Sequence, residues 1–227
     1  MKFIVTAGPT REFIDPVRFL SNPSTGRMGF AVARAARAAG HDVTLVAGPV
    51  ALRTPRGVTR VDIVSARDLL AAVTEALKAV PAEESAALVM TAAVADWRPA
   101  ACAPAKLKKA QMDGTLRLVR NPDVLQTLAG LLARRPLKAL APRLVRVGFA
   151  AETGEPAAEA ARKCRAKGLD LVVGNDVTAK GCGFGTTTNR VTFVFPDGHA
   201  EPLPMMSKDA VARRIVSFCK RHNAAAR

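Results

Sequence analysis

The sequence is poor in aromatic and in acidic residues. The shortage of acidic residues makes the chain basic, and the shortage of aromatic residues weighs against nucleic acid as its partner. It contains no tyrosine, one tryptophan and 4% aromatic residues in total. It contains 19 Asp and Glu but 34 Lys and Arg, which gives a formal net charge of +15. A basic chain suits nucleic acid, but single strands are held largely by bases stacked on aromatic side chains. We therefore expect no nucleic-acid partner. The charge is explained by a GC-rich coding bias toward Ala and Arg, by attraction for small polyanionic substrates, or by both.

Cysteine and histidine are too few and too scattered for several common kinds of site. The four cysteines have neither the paired spacing of a zinc site nor the density of a disulfide scaffold. The three histidines form no ligand cluster along the chain. We therefore expect neither a zinc centre nor histidine-based catalysis.

Long apolar runs are missing as well. No uninterrupted apolar stretch reaches the roughly 18 residues of a membrane span, and no charged region with a cleavage site opens the chain. With 227 residues, 49% of them hydrophobic, the chain can bury a sizeable core. We therefore predict one soluble, cytoplasmic domain over residues 1–227, with no membrane partner.

Strand and helix patterns alternate in the manner of a parallel sheet that is covered on both faces. The predicted strands are 2–6, 42–47, 59–64, 86–91, 144–149, 169–174 and 190–195. The predicted helices are 25–39, 66–79, 122–133, 155–166 and 207–222. This order predicts an α/β protein with a three-layer, Rossmann-like fold and a mainly parallel sheet.

The N-terminal region has the layout of an anion site. An apolar strand is followed by the Gly8-Pro9 turn, and Ser24, Thr25 and Gly26 open an Ala-rich helix. The free N–H groups and the positive end of such a helix attract a phosphate or a carboxylate. A glycine turn between strand and helix also serves plain packing, so the layout gains weight only from other segments at the same edge.

Small or polar residues follow the other predicted strands, at the edge where doubly wound sheets bind ligands. These segments are Gly48-Pro49, residues 92–96, residues 150–153 and Asn175-Asp176. One insertion breaks the α/β rhythm, because residues 105–119 predict a β-hairpin around Asp113-Gly114. We expect this hairpin to act as a flap or a dimerisation arm.

Eight segments, in order, span nearly the entire chain: TAGPTREFIDPVRFLSNPSTGRMGFAVA, DVTLVAGPV, AAVADWRP, KLKK, NPDVL, VGFAAETGE, KGLDLVVGNDV and FGTTTNRVTFV. Together they resemble phosphopantothenate-cysteine ligase. Each segment alone is a weak signal, whereas their shared order is specific. In many bacteria this enzyme is the C-terminal half of a protein whose N-terminal half is a flavin-dependent decarboxylase. No such half is present here, so we expect no flavin in this chain and a decarboxylase as a partner or fused half.

The resemblance implies a two-step reaction in coenzyme A biosynthesis. The carboxylate of phosphopantothenate attacks the α-phosphate of a nucleotide, usually CTP in bacteria, and the amine of cysteine then displaces the nucleotide from the acyl group. The resemblance also implies a homodimer and Mg²⁺ that is held mainly by the nucleotide phosphates. Charge accumulates on phosphoryl oxygens and then on the acyl oxygen, so the protein must supply fixed donors and cations.

Two residues match catalytic residues of that family. Asn22 matches its functional asparagine, whose amide would donate to the acyl oxygen, although by itself an asparagine here is a common turn residue. Lys106 matches its catalytic lysine and would neutralise the triphosphate, although a lysine run is usually a solvated face. In a hairpin strand, Lys106 and Lys108 would point to one face. Arg18 would support the Asn22 pocket or form a salt bridge to Asp15.

The resemblance also implies residues that bind the substrates and the nucleotide. Asp96 would accept a hydrogen bond from a base amine or help to hold Mg²⁺. Phe149 would pack against the base, and Lys163 and Lys167, four residues apart on one helix face, would reach the nucleotide. The remaining implied binding positions are Gly8, Ser24, Thr25, Gly26, Ala92, Ala93, Asn121, Pro122, Asp123 and Val124.

Three positions depart from the family pattern. Arg27 stands where a lysine is typical, Thr25 replaces a serine, and Thr187 occupies a position that is often acidic.

Three other functions stay open. One alternative is an ATP-using version of the same ligase. A second is a dinucleotide-binding oxidoreductase, although G-x-G-x-x-G and an acidic residue after the second strand are missing. A third, an RNA-binding protein, is favoured by the net charge alone.

Overall fold

A computed structural model describes residues 1–108, 114–152, 157–176 and 178–225 of the chain. Its strands and helices are, in chain order, β1 (Lys2–Ala7), β2 (Arg11–Phe13), β3 (Phe19–Ser21), α1 (Arg27–Ala38), β4 (Asp42–Ala47), β5 (Thr59–Asp62), α2 (Ala66–Lys78), β6 (Ala86–Met90), β7 (Trp97–Pro99), β8 (Leu118–Arg120), α3 (Val124–Leu132), β9 (Leu144–Glu152), α4 (Ala157–Ala166), β10 (Leu171–Asp176), β11 (Thr188–Asn189), β12 (Val191–Val194), β13 (Ala200–Pro202), β14 (Met206–Ser207) and α5 (Lys208–Ala225). Two short 3₁₀ turns, Leu137–Ala139 and Ala141–Arg143, precede β9.

Eight of the strands form the central sheet, in the order β13-β12-β10-β9-β6-β1-β4-β5. Neighbouring strands from β10 to β5 are parallel, and β12 and β13 are added antiparallel at one edge. In register, Lys2 of β1 lies opposite Asp42 of β4 and Ala86 of β6. The chain adds strands first on one side of β1 and then on the other, so the order reverses between β1 and β6. Doubly wound sheets bind ligands at this reversal.

Helices cover both faces of the sheet, which confirms the predicted three layers. Phe3 packs with α1 and α5, whereas its neighbour Ile4 packs with α2 and α3 on the opposite face. At the other end of the sheet, Val173 belongs to the first of these faces and Val172 packs with α4 on the second. Successive side chains of a strand alternate between faces, which explains the division. In the described part of the chain, no helix is long and apolar enough to cross a membrane.

All seven predicted strands and all five predicted helices are present, with ends that differ by a few residues. α1 begins at Arg27 because Gly26 has a φ of 76°, a left-handed conformation that ends the preceding loop. α3 begins at Val124 because the Asp123 carboxylate caps it, accepting a hydrogen bond from the Gln126 N–H at 3.0 Å. Apart from β8, which falls at the end of the predicted hairpin, the prediction missed the strands of two or three residues, which are too short to show an alternating pattern.

An antiparallel strand pair flanks the insertion near residues 105–119, and its first strand lies earlier in the chain than predicted. β7 pairs with β8, so that Trp97 lies opposite Arg120 and Pro99 opposite Leu118. Residues 105–108 form no strand, and Asp113 lies outside the described residues. The backbone N–H of Leu107 instead donates to the Asp15 carboxylate. The predicted strand alternation of Lys106 and Lys108 was therefore wrong.

Candidate active site

A cavity of about 770 Å³ lies at the carboxyl ends of β1 and β6, where the strand order reverses. Beyond the ends of these strands, Pro9 and Ala93 form an isolated parallel bridge. The lining residues come from both sides of the sheet edge: Asn22, Ser24–Gly29, Met90–Trp97, Arg120–Leu125, Phe149, Ala151, Lys163, Lys167, Asn175, Gly183, Phe184, Asn189 and Lys208. The cavity therefore has the position of a ligand site in a doubly wound fold.

Threonine hydroxyls hold the segment that follows β6. The Thr91 hydroxyl donates to the Thr6 carbonyl at 2.6 Å, and the Thr6 hydroxyl accepts from the Ala92 N–H at 3.1 Å. Further along, the Thr10 hydroxyl accepts from the Ala95 N–H at 3.0 Å. These reciprocal bonds tie two strand ends together, so the backbone on this side of the cavity is fixed before any ligand binds.

Asn22 lies beside this segment and holds it as well. Its amide Nδ2 donates to the carbonyls of Ala93 and Val94, at 3.2 Å each. A primary amide has two N–H groups and a carbonyl with two lone pairs. Both N–H groups face backbone, so Oδ1 is the atom of Asn22 through which a ligand can be contacted without breaking these bonds.

The N-terminus of α1 forms one wall of the cavity. Its N-cap Gly26 has no side-chain capping bond, and its first turn carries no acidic residue. Gly29 lets the helix approach β1 closely, because a Cβ there would lie 2.6 Å from the Thr6 carbonyl oxygen and 2.5 Å from the Ala7 Cβ. Backbone N–H groups and the positive end of the helix dipole therefore face the cavity, an arrangement that favours an anion.

The opposite wall is built by the loop before α3 and by the end of α4. The Asn121 amide donates to the Ala95 carbonyl at 2.8 Å, and Lys167 pairs with Asp123 at 2.7 Å. Lys163 Nζ donates to the Phe149 carbonyl. Partial burial is the largest single influence on the pKa of the Asp123 carboxyl and raises it. The hydrogen bonds from Lys167 and the Gln126 N–H, together with the charges of Lys167 and Lys163, outweigh burial, so the pKa lies below its usual value.

A third wall brings in Lys208, the first residue of α5. Its Nζ donates to the carbonyls of Gly183 at 2.8 Å and Phe184 at 3.4 Å. Burial lowers the pKa of the Lys208 ammonium, and the positive charge of Arg27 lowers it further. The Thr25 hydroxyl donates to the same Phe184 carbonyl at 2.6 Å, so this loop is tied to the starts of both α1 and α5.

The lining is strongly cationic. It carries five cationic side chains, from Arg27, Arg120, Lys163, Lys167 and Lys208, against the carboxylates of Asp96 and Asp123. Within the described ranges, no group of three or more His, Cys, Asp or Glu side chains is placed to hold a metal ion. The arrangement suits polyanionic ligands that are bound by fixed cations and backbone donors.

The family model for the DNA/pantothenate metabolism flavoprotein C-terminal domain matches residues 1–222 of this chain. The chain belongs to this family. The coenzyme A biosynthesis bifunctional protein CoaBC of Vibrio cholerae is 42% identical over 217 residues, which cover 95% of this chain and 51% of that protein. CoaBC of Bacillus subtilis is 44% identical over 214 residues, which cover 94% and 49% respectively. The chain thus spans about half the length of the curated relatives it matches.

The fold agrees with a solved member of the family. The crystal structure of the C-terminal domain of a CoaBC protein is 36% identical to this chain, with a TM-score of 0.76. The match covers 97% of this chain and 94% of that one. The resemblance and the Rossmann-like α/β class predicted from the sequence are therefore confirmed.

Fourteen of the seventeen predicted site residues line the cavity. The described lining does not include Gly8, Arg18 or Lys106. Gly8 supports it from behind, because its carbonyl accepts from the Ala93 N–H at 2.9 Å. Arg18 forms the salt bridge that the sequence left open, with Nη2 at 2.5 Å from Asp15 Oδ2. Lys106 is exposed, on the segment whose Leu107 N–H donates to the same carboxylate.

Several lining residues were not predicted as site residues. Arg27 was noted as a departure from the family pattern, and Asn175 as part of a polar strand end. Asn189 lies within the FGTTTNRVTFV segment but was given no role, and Lys208 gave no signal because it is a single polar residue near a helix start. Lys208 contacts the loop around Gly183, and this contact between distant parts of the chain is one that no local pattern shows.

Proposed function

We propose that this chain is a ligase domain of coenzyme A biosynthesis that joins cysteine to 4′-phosphopantothenate with CTP. The observation that carries the proposal is the cavity at the β1–β6 reversal, where most of the residues implied by the ligase motifs meet around one cationic space. Two polyanions must meet in such a reaction, and the five cations of the lining suit that requirement.

In the first step, an oxygen of the phosphopantothenate carboxylate attacks the α-phosphorus of the nucleotide. The bond from that phosphorus to pyrophosphate breaks, which leaves an acyl-nucleotide. Lys163 and Lys167 offset charge on the nucleotide, and Lys106 offsets charge on the triphosphate when its exposed side chain reaches the site. The main contribution of the protein is to position two anions that otherwise repel each other.

In the second step, the cysteine amine attacks the acyl carbon, the bond to the nucleotide breaks, and the nitrogen loses a proton. Asn22 is the side chain placed for this step. Its Nδ2 holds the carbonyls of Ala93 and Val94, so its Oδ1 accepts a hydrogen bond from the incoming amine. This role differs from the donor role that the resemblance implies, because both N–H groups are already engaged.

Mg²⁺ fits the donor set of the cavity. The ion keeps several waters and usually takes one or two carboxylates together with substrate phosphates. Asp123 is engaged by Lys167, which makes Asp96 the carboxylate that would contact the ion. When bound, Mg²⁺ would neutralise phosphate charge.

The assembly we propose is a homodimer, with a flavoprotein decarboxylase as a fused half or partner. The hairpins β2–β3 and β7–β8 contact each other and leave large apolar side chains exposed: Val17 at 55%, Phe19 at 38%, Trp97 at 45% and Leu118 at 40%. A clustered apolar surface of this kind favours a symmetric contact with a second copy. Light scattering should give a dimer, and a monomer for Leu118→Asp. A wild-type monomer at micromolar concentration would contradict this assembly.

One assay tests the reaction and the choice of base. Pyrophosphate release is measured with phosphopantothenate, cysteine, Mg²⁺ and each of the four nucleoside triphosphates. We expect turnover with CTP to exceed turnover with ATP by a wide margin. Equal rates would favour the ATP-using alternative, and inactivity of folded protein with every nucleotide would refute the ligase proposal.

A further inference from the structure

Asn121 binds two consecutive residues of the segment that follows β6. Its amide Nδ2 donates to the Ala95 carbonyl at 2.8 Å, and its backbone N–H donates to the Asp96 carbonyl at 2.8 Å. In addition, the Thr10 hydroxyl accepts from the Ala95 N–H at 3.0 Å. The backbone that carries the Asp96 carboxylate is therefore held by three hydrogen bonds at the edge of the cavity.

The side-chain amide of Asn121 can hold Ala95 in only one of its two orientations. Its carbonyl and NH₂ groups have nearly the same shape, so a half-turn about the last side-chain bond exchanges a donor for an acceptor. After such a turn, Oδ1 would face the Ala95 carbonyl oxygen, and two acceptors repel each other. The hold on Ala95 therefore depends on what fixes the orientation of this amide.

Arg98 fixes that orientation. Its Nη1 donates to Asn121 Oδ1 at 3.2 Å and to the Arg120 carbonyl. A guanidinium has N–H donors and no acceptor, so the carbonyl side of the amide faces it and the NH₂ side faces Ala95. Arg98 is half-buried and lies outside the described lining of the cavity. It is therefore placed to influence a ligand through Asn121 rather than by contact.

We infer that Arg98 is a positioning residue for the nucleotide, because it orients Asn121 and thereby holds Asp96 in place. The inference rests on the proposed function, in which Asp96 serves the nucleotide. A carboxylate repels phosphate groups, so Asp96 acts on the nucleotide through the amine of the base or through bound Mg²⁺. Displacement of Asp96 should therefore weaken binding of the nucleotide and leave binding of phosphopantothenate nearly unchanged.

The first test is Arg98→Met, which removes the donors and keeps an unbranched side chain. We expect the KM for CTP to rise about 3- to 10-fold, the range for the net loss of one hydrogen bond, with the KM for phosphopantothenate unchanged. Calorimetric binding of CTP with Mg²⁺ should weaken by the same factor. Arg98→Lys keeps a donor and should recover most of the loss. Arg134→Met, an exposed arginine just beyond α3, is the control and should change neither constant.

A double-mutant cycle shows whether Arg98 acts through Asn121. Asn121→Ala should also raise the KM for CTP, because Ala95 loses the amide that holds its carbonyl. In that background, Arg98→Met should cause no further rise, since the residue through which it acts is gone. An equal rise in both backgrounds would overturn the inference, because Arg98 would then act on the ligand directly through its charge.

Thr10 gives a second test of the same backbone, which also applies if Arg98→Met fails to fold. Thr10→Val keeps the shape of the side chain but leaves the Ala95 N–H without its acceptor, so it should raise the KM for CTP as well. Thr10→Ser keeps the hydroxyl and should restore it. A rise confined to the KM for phosphopantothenate, with either the Arg98 or the Thr10 variant, would overturn the inference and leave the ligase proposal standing. Wild-type protein that neither turns over nor binds CTP would refute both.

Discussion

The Asp15 carboxylate joins two distant parts of the chain by accepting a hydrogen bond from the Leu107 N–H at 3.2 Å. The same oxygen accepts from Arg18, and the Arg18 guanidinium donates to the Leu107 carbonyl at 3.0 Å. Asp15 is fully buried, whereas Lys106 beside this contact is exposed. The contact between Asp15 and Leu107 therefore fixes the backbone beside Lys106 and leaves the Lys106 side chain able to move.

Asp15→Asn should slow the first step of the reaction. An amide N–H would face the N–H groups of Arg18 and Leu107, so the backbone beside Lys106 would lose its contact with residue 15. No residue that lines the cavity is changed. We expect acyl-nucleotide formation to slow about 10- to 100-fold, as for other small misplacements of a catalytic group. Single-turnover measurement without cysteine checks this step. Asp42→Asn, at the opposite edge of the sheet, is the control, and an equal loss there would contradict the role of Asp15.

The same carboxylate should make part of the stability dependent on acid. The Arg18 guanidinium holds the pKa of Asp15 far below its usual range, against the effect of burial, with further help from the backbone N–H groups of Val17, Arg18 and Leu107. A lowered folded-state pKa stabilises the protein above the unfolded value, about 3.9, and the contribution is lost as the pH falls toward the folded value. The difference in unfolding free energy between wild type and Asp15→Asn should be constant above about pH 5 and shrink below about pH 4. Urea unfolding at several pH values measures it, and a difference that grows in acid would refute the account.

The layers of the fold could be predicted because its parallel strands are continuous apolar runs and its helices have apolar faces. The short hairpins could not, since Arg11–Phe13 and Phe19–Ser21 pair over three residues with few apolar alternations. In the site, the residues that follow the strands could be predicted from the sequence, because parallel strands bring their carboxyl ends to the same edge of the sheet. The contact of Lys208 with Gly183 was not, because it depends on how two loops cross in space.

Gly29→Ala should destabilise the protein and displace α1, whose N-terminus forms one wall of the cavity. The added Cβ would lie 2.5 Å from Ala7 Cβ and 2.6 Å from both the Thr6 carbonyl oxygen and the Thr91 hydroxyl. Overpacking of this kind costs about 1–3 kcal/mol. Gly130→Ala, in α3 with no atom within 4 Å of the new Cβ, is the control and should stabilise by about 0.4–1 kcal/mol. Denaturant unfolding of both variants decides, and a neutral Gly29→Ala would show that α1 can shift freely.

Lys167→Met should weaken nucleotide binding more than binding of the acyl substrate. The variant removes a cation from the α4 end of the cavity and breaks the pair with Asp123, whose carboxylate also caps α3. We expect the KM for CTP to rise about tenfold, with the KM for phosphopantothenate within about twofold. Because the pair is partly exposed, its loss should lower stability by no more than about 1 kcal/mol. Arg165→Met, an exposed residue at the end of α4 just before Lys167, should change neither constant, and a selective effect on the KM for phosphopantothenate would contradict the assignment of Lys167 to the nucleotide.

Asn22→Asp and Lys106→Gln should separate the two steps. The aspartate would place a negative oxygen against the carbonyls of Ala93 and Val94, which the amide now holds, and it would draw the cysteine amine toward its protonated, unreactive form. Removal of one such fixed group typically slows a step about 100- to 1,000-fold. Lys106→Gln leaves Asn22 intact but removes a cation from the triphosphate. Quenched-flow mass spectrometry should find acyl-nucleotide accumulating with Asn22→Asp and absent with Lys106→Gln. If Asn22→Asp slows both steps equally, Asn22 acts by holding residues 93–94 in place, and the amine is oriented by another group.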